Sequence, residues 1–78
     1  MSKIVQYKTY TIKSLPSAQS NHASWQPEVM ITWDRRQAVM TRHFAPKIIC
    51  PTEEEADVQG ITYAQQVIDG QVPGVPIE

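Results

Sequence analysis

The stretch from Trp25 to Trp33 constrains this chain more than any other. Trp25, Pro27, Val29, Ile31 and Trp33 alternate with Gln26, Glu28, Met30 and Thr32. Successive side chains on a β-strand point to opposite faces, so a period of two with four large apolar residues predicts a strand with one buried and one wetter face. A buried face needs a second layer over it. Pro27 has no backbone N–H to donate, which places its end of the strand at an edge or a bulge.

The covering layer is predicted near the C-terminus. Pro51-Thr52-Glu53-Glu54-Glu55 reads as a helix start, because Thr52 can cap and Glu55 three residues later completes a capping box. The three glutamates also complement the helix dipole. Ala56, Gly60, Ile61, Ala64, Val67 and Ile68 then recur at helical spacing on one face, with Tyr63 at its border. The small residues in that face let a helix lie close to a sheet. Asp69-Gly70 ends the helix, with Gly70 suited to a left-handed C-cap. The spacing predicts a helix over 53–69.

The remaining segments supply strands. From Ile4 to Leu15 the chain is rich in β-branched and aromatic residues. Val5 and Tyr7 share one parity and Tyr10 and Ile12 the other, so a bend or bulge near Lys8-Thr9 is expected to shift the phase. Residues 16–24 are small and polar and read as a loop. Asp34-Arg35-Arg36 reads as a turn into a strand from Gln37 to Ala45. A loop of two or four residues pairs Ile31 with Ala38 or Met40. Either places Ala38, Met40, Arg42 and Phe44 beside the apolar face. A three-residue loop brings Val39, Thr41 and His43 there instead. The first set contains Phe44 and Met40 and is preferred. Lys47 to Cys50 forms a short strand or an extended lead-in. The fold class is therefore α+β: a three- to four-stranded antiparallel sheet with one C-terminal helix packed on the face bearing Trp25, Val29, Ile31 and Trp33. Residues 1–70 form one domain and 71–78 an extended tail.

At 78 residues there is room for one core, and a chain of that size buries only about 60% of its unfolded surface. The single cysteine, Cys50, excludes an internal disulfide. Stability then rests on packing or on self-association, and a homodimer through the uncovered sheet face or the edge near Lys47–Cys50 is expected. No apolar run approaches the roughly 20 residues that span a bilayer, and MSKIVQYK has no hydrophobic signal core. With one unpaired thiol, the expected location is the cytoplasm, without a membrane.

The order of signals resembles a known type of protein. Tyr7-Lys8-Thr9-Tyr10-Thr11-Ile12 is followed by a proline-containing loop and by Trp25 opening a strand. Thr52-Glu53-Glu54-Glu55-Ala56 then begins a helix that closes on Ile68-Asp69-Gly70. Over about residues 5–70 this resembles small stand-alone bacterial domains of the HlyU-like type, with strand-strand-strand-helix order. The resemblance implies that fold and, by the family's name, a link to transcriptional activation. It supplies no site residues.

Candidate chemistry is sparse. Cys50 lies two residues before a helix cap, where a thiol pKa can be lowered, but its phase with Ile48 reads as a small buried hydrophobe. His22, His43 and Cys50 are spaced by 21 and 7 residues, which fits no compact zinc pattern. Glu53, Glu54, Glu55 and Asp57 point in different directions around a helix and read as its solvated first turn. Trp25 and Trp33 could stack on bases or sugars, but they share the parity of Val29 and Ile31 and read as core. No phosphate loop, nucleophile elbow or His-Glu-x-x-His motif occurs. The expectation is no catalytic residue, no metal and no cofactor.

Charge is segregated. Residues 1–52 carry all seven Lys and Arg against two acids, net +5, whereas residues 53–78 carry six acids and no base. Arg35, Arg36, Arg42 and Lys47 lie in a stretch without any acid and are the candidate binding residues for an anionic partner. The leading expectation is a non-catalytic protein-interaction module. The alternative is a weak nucleic-acid-binding or transcription-related domain using the basic hairpin. A pI near 6.1 lies below that of dedicated nucleic-acid modules.

Overall fold

A computed structural model describes residues 3–19 and 24–75. Its first element is a hairpin where the sequence suggested only a bend: β1 (Lys3–Tyr7) and β2 (Tyr10–Ser14) pair antiparallel, with Tyr7 opposite Tyr10. The phase change at Lys8-Thr9 is a complete chain reversal, and Lys8 accommodates it at φ 56°. Two strands thus replace one. Val5 and Ile12, of opposite parity, meet on one face because they pair directly.

The alternating segment also divides. Pro27 interrupts it, leaving β4 (Trp25–Gln26) and β5 (Val29–Arg35) as separate strands. β4 pairs with β3 (Ser17–Ala18), inside the stretch expected to be loop. Trp25 therefore lies outside the main sheet and is only half-buried, which corrects its place in the predicted core face. β6 (Ala38–Phe44) follows β5 through a two-residue turn. Arg36 and Gln37 both have positive φ, 48° and 68°, as a type I′ hairpin turn requires. Ile31 pairs with Arg42, not with Ala38 or Met40, because the turn falls one to two residues later than expected. The parity is as preferred: Phe44, Arg42 and Met40 stand opposite Val29, Ile31 and Trp33. The main sheet is antiparallel, in the order β1-β2-β5-β6.

The helix α1 (Glu53–Ile68) starts on Thr52, whose Oγ1 accepts the Glu55 N–H at 3.1 Å. It ends on Asp69, with Gly70 at φ 72°. Ala56, Gly60, Ala64 and Val67 face the sheet and are buried. Together with Ile12, Val29, Ile31 and Trp33 they form the core. The tilted ring of Tyr10 lies 5.6 Å from that of Trp33. The segment after the helix turns back over 71–75 instead of running out as a tail, and Val72 and Val75 pack against the core. Residues 76–78 of the expected tail lie outside the described residues.

Two contacts seat the helix. Asp57, read from sequence as solvated, is buried at 3% exposure and accepts a hydrogen bond from the fully buried Ser14 hydroxyl at 2.5 Å. At Gly60 the helix meets the sheet so closely that an added Cβ would lie 3.0 Å from Val29 Cγ1 and 3.4 Å from Pro27 Cβ. A Gly60→Val substitution is therefore expected to destabilise the fold by about 1–3 kcal/mol through overpacking. Urea unfolding midpoints measure this, and an unchanged midpoint would mean the helix can lift from β5 without loss.

Candidate functional site

The β5–β6 hairpin carries most of the sequence-predicted binding residues, strung along it and not gathered. Arg35 ends β5 opposite Ala38, Arg36 occupies the turn, and Arg42 lies opposite Ile31. Lys47 follows the strand in an exposed loop. At about 3.4 Å per residue, Ala38 to Phe44 alone spans about 20 Å. Register places Arg35 and Arg42 on the helix side of the sheet. The Arg42 guanidinium sits over the Phe44 ring, 5.2 Å from its centre, and this cation–π contact turns it toward the far end of the strand.

The more informative feature of this hairpin is its exposure. Ala38 through His43 are all exposed, on both faces of the strand, with Val39 at 68% and Met40 at 38%. The helix packs on β2 and β5 and reaches β1 and β4. Tyr63 meets Phe44 of β6 edge-on, 6.1 Å between ring centres. No sequence pattern marked this, since β6 has the composition of an ordinary half-buried strand.

At the edge proposed from sequence near Lys47–Cys50, Lys47, Ile48 and Ile49 are exposed and Cys50 alone is paired. Cys50 and Trp25 exchange backbone hydrogen bonds of 2.7 and 2.8 Å, which fasten the end of that segment to β4. Cys50 is buried at 3% exposure. Burial pushes its thiol pKa up, and the nearby Glu55 carboxylate adds to this, the reverse of what a nucleophilic thiol needs.

His43 Nε2 lies 3.3 Å from Glu28 Oε1 on the uncovered sheet face, and His22 is outside the described residues. Among the described residues no three His, Cys, Asp or Glu side chains group to hold a metal ion. An open groove of about 480 Å³ is lined by Thr52, Glu54, Glu55, Val58 and Gln59. All five belong to one helix and its cap, and none pairs a base with a nucleophile.

Sequence reading missed a polar cluster at the opposite end of the helix. The Tyr7 hydroxyl donates to Asp69 Oδ2 at 2.6 Å, and the Lys8 ammonium pairs with Oδ1. Lys8 first, and then Tyr7, hold the Asp69 carboxyl below the usual carboxylate range. The hydrogen bond to Asp69 raises both the Tyr7 and the Lys8 pKa. The cluster ties the β1–β2 turn to the helix C-terminus and is structural.

Comparison with family models, with curated proteins and with solved structures returns no match for this chain.

The Asp69 cluster has a defined pH signature. A carboxylate whose folded pKa is depressed stabilises the fold above its unfolded pKa and loses that contribution as pH falls through the folded one. Asp69→Asn is therefore expected to lower the melting temperature at pH 7. The gap from the parent should narrow as pH drops below about 4. Thermal melts from pH 7 to pH 2 test this, and a gap independent of pH would show that the carboxylate charge contributes nothing.

Proposed function

We propose that this chain is a non-catalytic protein-interaction module that meets its partners along the β5–β6 hairpin. The observation that carries this reading is the exposure of β6 from Ala38 to His43 on both faces, at the sheet edge. Such an edge offers a row of backbone donors and acceptors to an extended segment of another chain. Affinity then comes from main-chain hydrogen bonds, and specificity from the side chains that flank them. The module is read as cytoplasmic. Among the described residues no helix is long and apolar enough to cross a membrane.

A photo-crosslinking amino acid at Val39, compared in cells with one at the equally exposed Val58 on the helix, tests the proposal. Polypeptide adducts from position 39 and not from 58 are expected. Absence of adducts at 39, with adducts at 58, would move the interface to the helix and sink the hairpin reading.

One observation favours a second reading, a weak nucleic-acid contact in line with the transcriptional link that the HlyU-like resemblance implies. Arg35 and Arg42 share a face, Arg36 sits at the tip between the strands, and Lys47 follows. Four cations are few, and the acidic first turn of α1, with Glu53, Glu54 and Glu55, would repel a long polyanion. Binding of this kind must weaken steeply with salt, because each neutralised phosphate releases counterion. A salt titration against a mixed DNA and RNA pool, with Arg35→Glu/Arg36→Glu as control, decides it. Binding indifferent to the double substitution would remove the nucleic-acid reading.

A further inference from the structure

We infer that the outer edge of β6 is a self-pairing surface, joining two copies of this chain antiparallel with Thr41 opposite Thr41 of the second copy. The inference rests on the interaction-module reading and names its partner.

Hydrogen-bonding parity leads to it. The two-residue turn makes Arg35 and Ala38 a hydrogen-bonded pair. The pairs Trp33–Met40, Ile31–Arg42 and Val29–Phe44 follow with the same parity. The backbone groups of Ala38, Met40, Arg42 and Phe44 are therefore directed at β5. Those of Val39, Thr41 and His43 are directed outward. The Thr32 and Thr41 hydroxyl oxygens, 3.5 Å apart, fit this assignment, because side chains approach closely in non-hydrogen-bonded pairs. No described strand pairs with the outward groups.

Thr41 is the midpoint of the seven-residue strand Ala38–Phe44. A two-fold axis at Thr41 thus overlaps the whole strand with its copy and pairs Val39 with His43, Thr41 with Thr41 and His43 with Val39. Every outward N–H and C=O of the strand is then satisfied. A two-fold contact is closed, so pairing stops at two chains and one continuous sheet of eight strands.

The side chains are compatible with this register. Arg42 stands opposite Met40 of the second copy, and Ala38 opposite Phe44, so like charges are never directly opposed. The two Arg42 residues are diagonal neighbours. Each leans over its own Phe44, which is away from the other. β6 contains no proline and no lysine, and its one guanidinium, Arg42, is turned onto Phe44. The other edge strand, β1, is shorter, begins with Lys3 and is partly covered by the helix. One strand pair makes a small interface, at the weak and reversible end of the range.

Sedimentation velocity and amide hydrogen exchange by NMR, from about 10 μM to about 1 mM, suit an interface of that size. The expected result is a monomer–dimer equilibrium with an alternating signature. Amides of Ala38, Met40, Arg42 and Phe44 are protected at every concentration, whereas those of Val39, Thr41 and His43 gain protection only as dimer forms. Val39→Lys should fold, since Asp34 lies opposite it in the same hairpin, and should weaken dimerisation at least about tenfold. A monomer throughout, a dimer without the alternating signature, or open-ended growth each overturns the inference. A monomer that still gives adducts to other proteins from position 39 leaves the interaction-module reading intact, whereas loss of those adducts from a true dimer would limit the surface to self-pairing.

Discussion

One α-helix is too narrow for the sheet beneath it. A helix with its side chains is about 10 Å across. Four strands at about 4.8 Å spacing put roughly 14 Å between the outer strand axes. The chain resolves the mismatch by centring the helix on β2 and β5 and reaching partly over β1. Ile12, Val29, Ile31 and Trp33 lie under or beside α1 and are buried, whereas β6 is left exposed over all but its last residue. The exposed backbone edge of β6 follows from that width.

The seat of the helix decides which edge stays bare. A carboxylate cannot be buried without a hydrogen-bond partner, and Asp57 finds one in the Ser14 hydroxyl on β2. Gly60 admits the helix against Pro27 and Val29, where any side chain would crowd. The Asp69 cluster holds the far end of the helix to the β1–β2 turn through Tyr7 and Lys8. The Ser14 and Asp69 contacts draw the helix toward β1 and β2, Gly60 seats it on the start of β5, and β6 is reached by Tyr63 alone among the ring contacts.

The charge layout takes its meaning from the same geometry. The acidic first turn of α1 and the basic hairpin belong to different elements, and Arg35 and Arg42 are brought to one face by strand register, not by nearness in the chain. Arg42 lies four residue steps along the strand from Ala38, the partner of Arg35, about 14 Å. The cations therefore form a line along the hairpin and no pocket. A line of charge beside an open strand edge can orient an extended partner without enclosing a small ligand.

Local chemistry by itself determined the helix and its cap, the buried parity of Val29, Ile31 and Trp33, and the pairing of that face with Met40, Arg42 and Phe44. Capping groups and periods of 2 and 3.6 act within a few residues, so they are legible in order along the chain. Only the tertiary structure decided that Lys8-Thr9 reverses the chain and that Pro27 detaches Trp25. It also decided that Asp57 is a buried partner of Ser14, 43 positions away, and that β6 stands uncovered. These depend on which strands become neighbours and on how far one helix reaches across them. A residue such as Thr41 has the same local preferences at a covered centre as at an open edge. Its exposure is a property of the layer above it, which no stretch of sequence around it encodes.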